Sequence, residues 1–339
     1  MRNQPFDRLM NSFCVCVAPA ICLLITGVAT GQESINISAG GFKGTLHDNV
    51  SNQDRQGSGF HPLMLKAFPN ASLFRDDAVG LNFEHIFNGA ADDRDIAMFT
   101  PRQDACNVAR IDEQTLRLSW PGKGTAWGLD AHMDYRFSGP GQIDLSFACR
   151  PSKDKFPAGY VAMMWASYMG KTVDRRIHFW GATNGQAGWV SFGDTVGDVI
   201  EVGTVAYSKS QPLPFEPKSQ SLNIAENTAK KFTLPFYYGI IDADRDLSTT
   251  MDRHLFLVLF DQTDSIRFAM WNFFKNDAGT PDTHSPAWDW QYVIRDPQVG
   301  KTYGYRARVV IKPYEGKEQV WAEYQKWNRD LGHQLPTRP

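Results

Sequence analysis

An all-β fold, a large antiparallel sandwich carrying a short C-terminal helix, is the class this sequence predicts. Three observations carry it. Period-two alternation of apolar and polar residues recurs along most of the chain; the breaks between runs are Gly, Pro and Asn turn chemistry; and a helical apolar period stands out near the end. The chain has 339 residues, 42% hydrophobic and 13% aromatic, long enough for one substantial core. A charged fraction of 21% and a net charge of −2 exclude a disordered polyelectrolyte and supply no basic excess for binding nucleic acid.

In chain order, residues 1–31 read as a secretory signal. Arg2 and Arg8 give a basic start, Phe13 to Val28 an apolar stretch, and Ala29-Thr30-Gly31 small residues for cleavage. The stretch is short for a membrane span; the rival reading is an uncleaved N-terminal anchor. A secreted or periplasmic protein follows, with no membrane span once the signal is removed and residues 32–339 as a single domain. Cleavage would leave two of the five cysteines, Cys106 and Cys149, either paired as a disulfide or buried as small apolar groups.

Strands follow. Leu116 and Leu118 alternate with Arg117 and Ser119; Ile143, Leu145, Phe147 and Cys149 share one face; Ile177 and Phe179 oppose Arg176, His178 and Trp180. Ile266, Phe268 and Met270 oppose Arg267, Ala269 and Trp271, and Tyr303, Tyr305, Ala307, Val309 and Ile311 share another face. The continuous run Leu255–Phe260 suits a strand buried on both sides. Ser138-Gly139-Pro140-Gly141 and Asn184-Gly185 mark turns. Val320, Tyr324 and Trp327 fall on one face of a helix over Glu315–Asp330, which would pack against the sheet.

The segment His132–Pro151 (HMDYRFSGPGQIDLSFACRP) and the late strand Tyr303–Ile311 with its Lys312-Pro313 end resemble strands of the galactose-mutarotase-like β-supersandwich proteins. The resemblance covers about a third of the chain and extends to uncharacterised exported bacterial proteins. It implies a carbohydrate-handling scaffold of the kind used by sugar epimerases, polysaccharide lyases and accessory domains of glycoside hydrolases. Mutarotases use two histidines and an acidic base; Glu84-His85 is the partial match here.

Five constellations could carry chemistry. Glu84 and His85 join a carboxylate to a group that titrates near neutrality, but on a regular strand they point to opposite faces and meet one ligand only if the strand is bulged. Trp165 and Tyr168, with His178 and Trp180 beyond, offer rings for the C–H faces of a sugar; core packing is the plain alternative. Arg267 and Trp271 share a strand face and suit an acidic sugar, or a surface arginine laid on an indole. Trp288-Asp289-Trp290 sets a carboxylate between rings, as a glycan site or as a packed plug. Asp242, Asp244 and Asp246 resemble the start of an EF-hand calcium loop, although Leu247 and Arg253 occupy its glycine and final-glutamate positions; Ca2+ or a solvated acidic turn are the alternatives.

GxGxxG, HExxH and GxSxG are absent, and Gly300-Lys301-Thr302 lacks the first glycine of a phosphate loop, Arg295 standing in its place. The expectation is an exported protein gripping a carbohydrate in an aromatic cleft. Its candidate catalytic groups are His85, Glu84, His178, Arg267 and Asp289; Trp165, Tyr168, Trp180, Tyr238, Trp271, Trp288 and Trp290 would bind substrate. Lyase, epimerase and hydrolase chemistry are the enzymatic forms, Tyr168 or Tyr238 serving a lyase as acid. A non-catalytic glycan-binding or envelope protein is the alternative.

Overall fold

A computed structural model describes residues 33–49, 57–90, 98–196, 199–216, 226–249, 251–272, 279 and 282–335. The expected signal, residues 1–31, lies outside the described residues. Among the described residues no helix is long and apolar enough to cross a membrane.

Alternation becomes two facing sheets. The larger has ten strands, in the order Gln186–Phe192, Ile177–Thr183, Phe236–Asp242, Arg253–Phe260, Tyr303–Pro313, Gln142–Pro151, Leu129–Gly139, Thr115–Trp120 and Asn107–Arg110, with Lys230–Phe232 also pairing to Ile177–Thr183. The smaller has five: Gly203–Ala206, Ile266–Trp271, Ala287–Arg295, Tyr160–Ala166 and Asn82–Phe87. All these pairings are antiparallel. A three-stranded sheet, Ser34–Ile37, Phe42–His47 and Gly59–Leu65, accompanies them. At Asn184-Gly185 both residues take positive φ (49° and 82°), as a two-residue hairpin between right-twisted strands requires.

The core fills the space between the two sheets. From the larger sheet come Tyr237, Phe256, Val258, Phe260, Tyr305 and Val309; from the smaller, Phe83, Met163, Trp165, Phe268, Trp288 and Trp290. Trp165 stacks on Phe83 (ring centroids 4.9 Å apart) and on Trp290 (5.9 Å), and Trp290 Nε1 donates to Tyr305 Oη at 2.7 Å. Gly239 makes room for Trp288 across the gap: a Cβ there would sit 2.1 Å from the indole. Trp165, Trp288 and Trp290, expected to bind substrate, are thus interior groups with 0% exposure. Their strands turn these rings toward the opposite sheet, where burying a large apolar surface stabilises most.

The helix Lys317–Asp330 covers the other face of the larger sheet. Val320, Trp321, Tyr324 and Trp327 pack on Phe236, Tyr238, Leu255, Leu257, Leu259 and Val310, which explains why Leu255–Phe260 is apolar on both sides. Arg308 pins it, reaching Asp144 (2.6 Å) and Asp330 (2.5 Å) with its guanidinium 4.7 Å from the Trp327 ring. Cys106 and Cys149 do not pair; burial pushes each thiol up to about 12.

Candidate functional site

The outer face of the five-stranded sheet carries the polar side chains that its core-facing rings leave behind. Arg267, Ala269 and Trp271 come from one strand; Ala287, Asp289 and Gln291 from its neighbour; Met164 and Ala166 from the next; Glu84 and His85 from the edge. Register aligns them in rows: Ala269 pairs with Asp289, which the register running from Trp290 opposite Trp165 to Ala287 opposite Tyr168 sets across from Ala166, and Arg267, Gln291, Met164 and His85 form the adjoining row. Neighbouring Cβ atoms in such rows lie about 4.5–5.5 Å apart. Asp289 is therefore buried between alanines on both sides, with Ala287 along its own strand, while Trp271 and Tyr168 pack over Ala269 and Ala287.

A bulge brings Glu84 and His85 together. The pairing shifts between Phe83 and His85, so that Phe83 faces Trp165, Ile86 faces Met163 in the core, and His85 sits opposite Met164. The extra residue is Glu84. His85 Nε2 lies 3.8 Å from Glu84 Oε1. The same Oε1 accepts from Arg102 Nη1 (2.7 Å) and Tyr168 Oη (2.6 Å). Arg102, in the short helix Thr100–Gln103, lies 5.4 Å from the Phe99 ring, which meets the His85 ring edge-on at 4.3 Å. Neither Arg102 nor Phe99 was found from sequence; an isolated arginine in a short Pro-containing segment carries no signal of its own.

Asp289 is 1% exposed. Its Oδ1 accepts the Ser167 N–H at 3.1 Å. Burial, then the Glu84 charge, raises its pKa well above the ordinary carboxylate range, and the Ser167 bond only partly opposes this. Burial thereby favours the protonated form of the acid. Burial and the Glu84 carboxylate likewise raise Tyr168 far above a free phenol. Burial is uneven across the cluster: Arg102 keeps 18% of its side chain exposed, His85 8% and Glu84 1%.

Arg267 is on the expected face, but its guanidinium is engaged. Nη1 donates to Gln291 Oε1 (3.2 Å) and Nη2 to Thr204 Oγ1 (2.8 Å), with Glu226 Oε2 at 3.3 Å. Desolvation lowers its pKa to about 10, leaving it charged at neutral pH. In place of an open clamp for an acidic sugar, the structure has a buried pin with its own carboxylate.

His178, Trp180 and Tyr238 belong elsewhere. They lie on the helix-covered face of the larger sheet, where His178 stacks on Tyr238 (5.1 Å) and Trp180 meets Trp189 edge-on (5.6 Å, 89°). Burial lowers the His178 pKa to about 4, so it is neutral at physiological pH. The single aromatic cleft expected from sequence is thus three places: the core, this patch, and a buried contact in which Trp271, expected to bind substrate but only 2% exposed, packs with Ala269 and Ala287 beneath Tyr168. Surface cavities of about 410 Å³ beside Lys123, Asp130 and Arg150, and about 320 Å³ beside Lys43, Pro62 and Met64, contain none of the expected residues. At Asp242, Asp244 and Asp246 the chain forms an acidic turn, with Asp246 N–H donating to Asp244 Oδ1 (2.9 Å). Among the described residues no group of three or more His, Cys, Asp or Glu is arranged to hold a metal ion.

The chain is similar to solved galactose mutarotase-like structures. A galactose mutarotase-like protein from Lactobacillus casei is 9% identical, the match covering 82% of this chain and 100% of that one, with a TM-score of 0.42. A galactose 1-epimerase from Lactobacillus acidophilus is 8% identical over 82% and 94%, TM-score 0.40. An alpha-N-acetylgalactosaminidase from Bifidobacterium bifidum is 11% identical over 88% of this chain and 39% of its own, TM-score 0.46. No family model matches the chain, and no curated protein matches it.

Proposed function

We propose that this chain is an exported carbohydrate-active enzyme whose site is the outer face of the five-stranded sheet, working by general acid–base catalysis. The observation that carries the reading is Asp289: a desolvated carboxyl in an alanine floor, near a second carboxylate that is tied to a cation and a phenol. Two acids in such different surroundings divide the roles of donor and acceptor. Asp289 would give its proton to a sugar oxygen. Glu84, with His85 beside it, would take one from the substrate, and Arg102 would balance the charge. Tyr168, which is only partly buried, would supply apolar surface for the C–H face of a pyranose, while the flanking polar groups meet its hydroxyls. Proton transfer at a sugar carbon or hydroxyl, as in epimerases and lyases, uses this set directly and is preferred to hydrolysis.

The test is a panel of reducing sugars and polysaccharides, followed by polarimetry, by absorbance of unsaturated uronates and by reducing ends. Turnover should fall about 10²–10⁴-fold in Asp289→Asn and Glu84→Gln, with both variants folded by circular dichroism. Turnover that survives both substitutions would remove the assignment. If no substrate in the panel is turned over, the enzymatic reading fails and the binding alternative stands.

A further inference from the structure

Tertiary structure separates His178, Trp180 and Tyr238 from the acid–base face and sets them beside Trp189, Tyr314 and Lys317. Trp189 lies on the edge strand of the larger sheet, directly opposite Trp180 in register. Both indoles are only partly buried, and their planes are perpendicular. Lys317 Nζ, at the start of the C-terminal helix, sits 5.5 Å from the Trp189 ring centroid. Next to Trp189 the edge is open: a Cβ added to Gly188 would meet nothing within 4 Å. An edge strand also presents unpaired backbone donors and acceptors.

Size decides what fits. Two partly covered indoles offer on the order of 100–200 Å², about a tenth of the 1,200–2,000 Å² of a stable protein interface. That is enough for one or two sugar rings. Perpendicular planes also suit a thick pyranose in the corner better than a flat protein surface, and His178 and Lys317 stand ready as hydrogen-bonding groups at the rim.

We propose that the Trp180–Trp189 corner is a second, non-catalytic carbohydrate site that holds neutral pyranose units of a polysaccharide while the opposite sheet face acts on sugar. This site rests on the carbohydrate reading above but shares none of its residues. Its test is native electrophoresis of the full chain through gels containing neutral galactan, xylan or mixed-linkage β-glucan, with alginate as an acidic control. The wild-type protein should be retarded in at least one neutral gel. Trp189→Ala and Trp180→Ala should each weaken binding about tenfold, and Asp289→Asn should bind as wild type. Trp189 also packs against Phe236 and Tyr238, so Trp189→Phe, with circular dichroism, covers a variant that folds poorly. A change in wild-type tryptophan fluorescence on adding the retarding polysaccharide needs no variant. Retardation in alginate alone, in none of the gels, or undiminished in both tryptophan variants overturns the proposal. So does a concentration-dependent dimer that Trp189→Ala dissolves, which would make a second copy the occupant. Loss of turnover in Asp289→Asn with retention of gel binding keeps the two sites experimentally apart.

Discussion

Replacing Asp289 with asparagine should stabilise the fold, by an amount that grows with pH. In the folded chain burial and the Glu84 charge keep this carboxyl protonated well past its ordinary range; in the unfolded chain it ionises near pH ~3.9. Below about pH 4 both states carry the proton and no penalty arises. As pH rises, the unfolded state releases its proton and the folded state does not. Stability then declines by about 1.4 kcal/mol per pH unit until the folded-state pKa is passed. The replacement amide does not titrate and keeps an oxygen for the Ser167 N–H. The advantage of Asp289→Asn over wild type should therefore widen by about 1.4 kcal/mol for each pH unit within that window. With a urea dependence of about 3 kcal/mol/M, the unfolding midpoints would separate by roughly a further 0.5 M per pH unit. Urea titrations followed by tryptophan fluorescence at half-unit steps from about pH 4 to 7 measure this. A difference that stays constant with pH would show that Asp289 titrates like a solvated carboxylate, and the case for a neutral acid in the site would fail with it.

Two further outcomes test the packing. Gly239→Ala places a Cβ 2.1 Å from the Trp288 ring; it should lose about 1–3 kcal/mol or more in urea unfolding, partly restored by adding Trp288→Phe, and wild-type stability would refute the fit. Cys106 and Cys149, both buried and with pKa pushed to about 12, should resist iodoacetamide in the native protein and react in urea, read by peptide mass spectrometry; native labelling would show that the core opens there.

Local alternation was enough to read the architecture. The strand Ile266–Trp271, the doubly buried Leu255–Phe260 and the helix bearing Val320, Tyr324 and Trp327 are all found where the pattern places them, because which side of a strand or helix is apolar is a property of a few consecutive residues. The same local logic set Asp289 opposite Trp288 and Trp290, and Arg267 with Trp271. It could not say which side of a strand meets the other sheet. Trp165, Trp288 and Trp290 look like Trp180 in sequence, yet the first three fill the interior and the last lies at a surface corner.

What the sequence by itself determined is the all-β class, the alternating faces and the identity of the ionisable groups, each set by short-range stereochemistry. Only the tertiary structure decided which of these groups meet. A one-residue bulge turned Glu84 and His85 to one face, pairing placed Ala166 and Ala269 on either side of Asp289, and burial there raised the pKa of an ordinary carboxyl. These effects depend on strand register between segments far apart in the chain, and on the solvent that register excludes; neither is encoded in any local stretch of residues.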